Sequence, residues 1–432
     1  MTAMTDVEDS RLTLAELILL TLIASLPLMK PMVAYPLVLT DGLFIVLALA
    51  LGFDLATGRR RLEWRPGYWL LLLYVAAFIP SLAATPDLHA SAVKLASEAY
   101  LVGLAGCASV IVDSEARLRR AVLAWLGATG FVTAVAIAAL IAFYTGIAPW
   151  LLDYAAFHFG TLPPGHYPRL AITFLNANMA CNYLTVSLGL LIIAHARQWL
   201  STAAAMGLLG GILIASASTI SPGLGGVLLL LGLWPILSPR PWPPLLRVTG
   251  LAAGSAAAVV FIVALAVTPI LHPTAPFLIH LPGGLTLAPS GRFLCWSAAL
   301  AEFARHPLIG HGIGIGAVRV HYLDPSGFLQ ELTDAHNMPL NVAAQGGLFG
   351  LAGIALITGY AVRLMRKQAT ARTALILGVT FLDAWLYQGL GGSFEDARHL
   401  WVLLGLLMAA VPFSALSRAG ENNRRSAAPS SG

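Results

Sequence analysis

Runs of roughly 20 apolar residues, separated by short polar segments, recur along this 432-residue chain, and most are long enough to cross a bilayer core of about 30 Å. We place such runs at 12–29, 33–53, 67–84, 92–112, 121–145, 171–194, 200–218, 223–237, 248–271, 339–364, 373–390 and 400–416. Lipid satisfies no backbone hydrogen bond, so runs of this length fold as helices. The seventh and eighth runs abut at Ser221-Pro222-Gly223, where they could merge or break. With 58% hydrophobic and 10% charged residues and a mean hydropathy of +0.80, no ordinary soluble domain fits. The expected fold is an all-α polytopic membrane protein of about twelve transmembrane helices with a helical subdomain in one loop.

Orientation follows from the basic residues, which short cytoplasmic loops retain. With the N-terminus inside, eighteen of the 25 Lys and Arg fall on the inner side, among them Arg59, Arg60, Arg61 and Arg65, Arg117, Arg119 and Arg120, and Arg363, Arg366 and Lys367. Both termini are then cytoplasmic, and the net charge of +5 is a topology signal that needs no nucleic acid to explain it. Asp6, Glu8 and Asp9 ahead of the first run make a poor secretory signal, so that span is expected to stay as an anchor. The expected organisation is nine spans over 1–271, three over 339–417 and a disordered cytoplasmic tail over 418–432. Two outer loops, 146–170 and 272–338, are long enough to carry function.

Cys107, Cys181 and Cys295 have neither disulfide nor zinc-site spacing. Ten of the eleven histidines fall outside, but no H-E-x-x-H pattern and no D-x-D pair accompanies them, so no metal is expected. The second outer loop is the richest in chemistry. Ser290 is placed to cap a helix whose first turn carries Arg292, followed by Phe293, Trp296, Leu300 and Phe303 at helical spacing. A cation at the positive end of a helix is sensible where an anion completes the site. The alternative is that Arg292 reaches a lipid headgroup or pairs with Glu302 or Glu331. His336 precedes Asn337-Met338-Pro339 and so stands at the outer N-terminal end of the tenth span, with Asp334 near enough to orient its ring. A helix N-terminus favours neutral imidazole, the form that takes a proton from a hydroxyl, although a histidine there can also serve only as a cap. Asp41, Lys94, Glu98 and Asp383 lie in or at the ends of spans, where charges are paired or functional, and a Lys94 pair with Asp41 or Glu98 is as natural as a substrate contact. The segment 393–399 adds a further charged cluster facing outward.

Four segments together resemble the O-antigen ligase and polymerase superfamily of bacterial inner membranes. They are Arg-Leu-Ala-Ile-Thr-Phe-Leu-Asn-Ala-Asn at 169–178, Gly291-Arg292 through Trp296 with the glycine turn at 307–314, Ala335-His336-Asn337 with the glycines at 346–350, and Arg398-His399-Leu400-Trp401. The resemblance implies inverting, metal-independent glycosyl transfer without a cofactor at the periplasmic face of the inner membrane. The donor it implies is an undecaprenyl-diphosphate-linked glycan, and the acceptor a sugar hydroxyl of lipid A-core. Carried over by position, His336 is the general base and Arg169 and Arg292 hold the diphosphate. Asn178, Asp334, Asn337, Lys94 and Asp41 are possible supporting residues. Since Ser221-Pro222-Gly223 lacks the arginine many relatives carry there, a third phosphate-binding arginine is sought in Arg319 or Arg398. Ligation is favoured over polymerisation of lipid-linked repeats. Transfer to protein is disfavoured by the short segment after the last span. A transporter remains the reading from a different class, disfavoured because the polar groups cluster at one interface.

Overall fold

A computed structural model describes residues 12–30, 38–159, 166–238, 243–269, 279–280, 286–289, 292–316, 318, 320–323, 329–367, 372–391 and 397–410. The chain is an all-α polytopic membrane protein. In order, the first half is α1 (Leu14–Ser25), α2 (Leu39–Ala56), α3 (Pro66–Ala76) with a 3-10 turn (Ile79–Ala83), α4 (Leu88–Ile111), α5 (Glu115–Thr145) and the short α6 (Trp150–Ala155). A hairpin of β1 (Ala156–Phe159) and β2 (Pro168–Leu170) then leads to α7 (Ala177–Ala196), α8 (Thr202–Ser218), α9 (Leu224–Leu237) and α10 (Pro244–Ala266). A small antiparallel sheet follows, of β3 (Val267–Pro269), β4 (Ile279–His280) and β5 (Thr286–Pro289) in the order β3-β5-β4. The chain continues with α11 (Arg292–Arg305), a hairpin of β6 (Val320–Leu323) and β7 (Leu329–Leu332), α12 (Met338–Lys367), α13 (Arg372–Gly391) and α14 (Arg398–Ala410).

Every expected span falls on one of these apolar helices. Eight are long and apolar enough to cross a membrane by themselves, and α1, α8, α9 and α14 are shorter apolar helices of 10–17 residues, so the count of twelve crossings rests on those four. The break at Ser221-Pro222-Gly223 separates α8 from α9. The third expected span is interrupted where Pro80, in the 3-10 turn, can donate no backbone hydrogen bond. The tail over 418–432 lies outside the described residues.

Local chemistry sets the helix ends. Asn176 caps α7 by accepting the Met179 N–H at 2.8 Å, Ser114 caps α5 through the Arg117 N–H at 3.3 Å, and Gly146, at φ +72°, ends α5. The central element is α7, which packs against α5, α8, α9 and α13 and buries nearly all its side chains. Lipid is as apolar as leucine, so the packed helices are held by close approach and interhelical polar contacts, on average about 0.6 kcal/mol per hydrogen bond. Close approach is plain between α9 and α10, where a Cβ on Gly232 would stand 2.3 Å from the Gly250 carbonyl oxygen. Polar contacts tie α7, α13 and α14 together: Asn182 donates to the Ala384 carbonyl at 2.9 Å and meets His399 Nε2 at 2.5 Å.

Candidate functional site

The site lies where the β1–β2 hairpin, the α8–α9 break, the start of α11 and the start of α12 come together. Arg169 is carried by β2, and the segment 171–176 that follows is a run of turns and bends rather than the beginning of the sixth span. The span starts later because Asn176 caps the helix at Ala177, and Ile172 before it takes φ +61°. Arg169 Nε donates to the Thr219 carbonyl at 3.0 Å, and Nη2 donates to Asn178 Oδ1 at 3.2 Å, from the first turn of α7. Its guanidinium lies 5.7 Å from the Phe157 ring centroid. Among the described residues no carboxylate pairs with it; its acceptors are neutral. The same Asn178 oxygen accepts from Ser221 Oγ at 2.9 Å, and Ser221 Oγ lies 2.7 Å from the Tyr387 hydroxyl of α13. Ile220, between the two contributing residues of the break, holds φ +45°. A β-branched residue in the left-handed region is an outlier that packing must enforce, and two of them flank the Arg169 network.

Arg292 is the first residue of α11, as expected; Ser290 lies outside the described residues. Burial lowers the Arg292 pKa, and burial together with the nearby Arg292 charge lowers that of Arg169. The Tyr387 phenol acts electrostatically on both guanidiniums, so it sits by the pair. Two cations held close in a partly dry site lose free energy until an anion joins them. The expected apolar stripe of α11 is rearranged. Its buried seam is Cys295, Ala299 and Glu302, small enough at two positions for close contact with the start of α12, while Phe293 and Leu300 stay exposed. Trp296 spans both roles, packing on the seam and donating from Nε1 to the Ala335 carbonyl at 2.9 Å.

That bond fixes the backbone next to His336, which adopts φ +46°. Asp334 Oδ1 accepts the His336 backbone N–H at 2.7 Å and also an Asn341 side-chain N–H, while Asn341 Oδ1 accepts the Ala335 N–H at 2.8 Å. The carboxylate therefore holds the main chain of His336 in its left-handed turn; the hydrogen bond it makes is to the backbone and not, as expected, to the ring. Asn337 caps α12 by accepting the Leu340 N–H at 3.1 Å, which leaves His336 just outside the helix. The His336 pKa lies below 6.5, first through burial, then through the Arg292 charge, with Asp334 opposing. The neutral ring expected from the helix end is thus favoured mainly by burial, and Arg292 connects His336 to the arginine pair.

Other expected residues go elsewhere. Arg398 makes a two-pronged ion pair with Asp41, at 2.9 and 3.1 Å, and lies over the Tyr100 ring, so its charge is already matched. The pairing explains both span-end charges at once. Lys94 pairs with Glu98 at 3.1 Å, and Glu98 also accepts from Tyr74 at 2.9 Å. Arg319 and residues 393–396 lie outside the described residues. A cavity of about 910 Å³ occurs far from this chemistry, lined by Arg59, Arg60, Arg61, Arg65 and Arg117 of the expected inner loops. The sequence pointed to Ser221 only as part of a break between spans, and not to Tyr387, Thr219 or Asn341. Asn341 had a faint signal, four residues from Asn337 on the same helix face; Tyr387 had none.

Residues 204–355 match the family model described as O-antigen ligase, a segment that takes in Arg292 and His336 and leaves Arg169 outside. Over 361 residues the chain is 27% identical to an O-antigen ligase of Pseudomonas aeruginosa, covering 81% of this chain and 79% of that protein. The match of 204–355 and the likeness along most of both chains support the resemblance of this polytopic membrane protein to the O-antigen ligase superfamily.

Proposed function

We propose that the chain is an inverting glycosyltransferase of the ligase type, moving a glycan from undecaprenyl diphosphate to a sugar hydroxyl of lipid A-core at the periplasmic face. The observation that carries this reading is the placement of two arginines, one held by neutral acceptors alone, within electrostatic reach of a histidine kept neutral. In the reaction, the acceptor oxygen attacks the anomeric carbon from the face opposite the diphosphate. The new C–O bond forms as the bond to the diphosphate oxygen breaks. The hydroxyl proton passes to the neutral His336 ring, and the electron pair of the broken bond leaves on the diphosphate, which Arg169 and Arg292 stabilise. Guanidiniums suit this work because they stay charged when partly buried and bind phosphate oxygens in pairs. Asp334 and Asn341 serve by fixing the His336 main chain, and Asn178 with Ser221 and Tyr387 by holding Arg169.

The test is transfer by purified protein given lipid-linked glycan and lipid A-core, with and without chelator, scored as slower lipopolysaccharide bands. His336→Ala should abolish banding while expression and membrane insertion persist; normal banding by that variant would refute the base assignment. Longer lipid-linked chains in place of lipopolysaccharide bands would mean a polymerase.

A further inference from the structure

At the far end of α11, Glu302 and His306 stand one turn apart, and His311 returns toward them from the glycine turn that follows. Glu302 Oε1 lies 3.5 Å from His306 Nε2 and 3.1 Å from His311 Nδ1, and the three atoms all lie within 4.8 Å of one another. A tetrahedral zinc with bonds of 2.0–2.2 Å sets its ligand atoms about 3.3–3.6 Å apart, so the 3.5 Å edge falls within that spacing and the 3.1 Å edge just short of it. The third edge, between two partly exposed imidazoles, is no longer than 4.8 Å. Glu302 is only 12% exposed at its side chain, and its other oxygen accepts from Arg305 Nη1 at 2.9 Å, which orients Oε1 toward the histidines. His306 and His311 are 43% and 33% exposed, leaving room for a water as fourth ligand.

From this geometry we infer that Glu302, His306 and His311 bind a zinc-class divalent ion. Two imidazoles and one carboxylate form a donor set that zinc uses, whereas calcium and magnesium take oxygen ligands. Ten residues of helix, about 15 Å, separate Glu302 from Arg292, too far for an ion here to touch a diphosphate held by that arginine. The site is a brace. His311 N–H donates to the Ala344 carbonyl at 2.9 Å and Gly312 N–H to the Gln345 carbonyl at 3.2 Å, so the turn is already seated on α12. An ion joining His311 to Glu302 and His306 locks the end of the helix carrying Arg292 to the helix that follows His336.

Without an ion, the same side chains make ordinary imidazole–carboxylate contacts, and experiment separates the two states. Full-length protein in detergent is stripped with chelator, and zinc is titrated against a chromogenic competitor. One zinc per chain is expected to bind. His306→Ala and His311→Ala should each weaken it by at least about tenfold, the loss that even an outer-shell partner costs. His321→Ala, on an exposed histidine elsewhere in the loop, should leave binding unchanged. Zinc should raise the melting temperature of the natural protein and not that of the His306→Ala/His311→Ala double variant. Absence of zinc uptake at micromolar concentration, or equal uptake by the double variant, would overturn the inference. Both readouts are independent of glycan transfer, which a distant brace leaves active in chelator at moderate temperature.

Discussion

Replacing Arg169 with lysine keeps the charge and removes the fork, which isolates what the guanidinium geometry contributes. Arginine has five N–H donors. In the structure Nε spends one on Thr219 and Nη2 one on Asn178, which leaves three for phosphate oxygens. A lysine ammonium has three donors and, if it still satisfies Thr219 and Asn178, keeps one. Two charge-assisted hydrogen bonds to the diphosphate are then lost, at about 1.5 kcal/mol each on the low side of the usual range. The sum, about 3 kcal/mol, corresponds to roughly a 150-fold loss in kcat/KM. Arg169→Gln also removes the charge and should fall by a further order of magnitude or so, in line with losing a charge that stabilises a leaving group. The assay is initial rate against donor concentration with purified protein in detergent, with melting temperature measured alongside to exclude a folding defect. A well-folded Arg169→Lys protein that retains kcat/KM within about threefold would refute the reasoning, since the lost bonds would then be worth under 1 kcal/mol.

Four further outcomes follow from the same geometry. Burial, opposed by Asp334 and aided by the Arg292 charge, holds the His336 pKa below the ordinary histidine value, so transfer should decline only at pH below the ordinary histidine range. Arg292→Gln removes the neighbouring cation, and the acid limb of its residual rate should move up in pH; an unmoved limb would separate the two residues. Asp41→Asn strands Arg398, whose side chain, like that of Asp41, is 14% exposed, and should cost about 3 kcal/mol, seen as a lower melting temperature that Arg398→Gln partly restores. Gly347→Ala places a Cβ 2.5 Å from the Leu308 carbonyl at φ +60°. It should destabilise by at least about 1–2 kcal/mol, the cost of forcing a side chain into a backbone region open essentially to glycine alone, measured by thermal aggregation in detergent.

Membrane crossing imposes a one-dimensional rule, a long apolar run, and that rule made the helices readable from residue order. The rule fails where apolar chain is not helix. Ala171 to Leu175 look like the start of a span, yet they form a largely buried run of turns and bends between Arg169 and the Asn176 cap. Chemistry-bearing residue types were readable too, because arginine and histidine beside long apolar runs are conspicuous. Their pairing was not. Arg398 and Asp41 are 357 positions apart, and Ser221 and Tyr387 are 166 apart, so no local pattern joins them. The zinc-class trio shows the same limit at short range. Glu302 and His306 have a helical spacing that any reader can count, but His311 comes back only because Gly310 takes φ +72° and the turn seats on α12.

Pairing also decides function. Arg169 and Arg398 are both arginines at the entry to an apolar helix, and by residue type either could hold a phosphate. The Asp41 carboxylate neutralises Arg398 and makes it a structural strut, so a diphosphate arriving there would compete with a bidentate partner already in place. Thr219, Asn178 and Phe157 hold Arg169 by a carbonyl, an amide and a ring, none of which cancels its charge. A site for an anion needs a cation positioned without being neutralised. Of the two, only Arg169 has that environment, with Arg292 adding a second positive charge nearby.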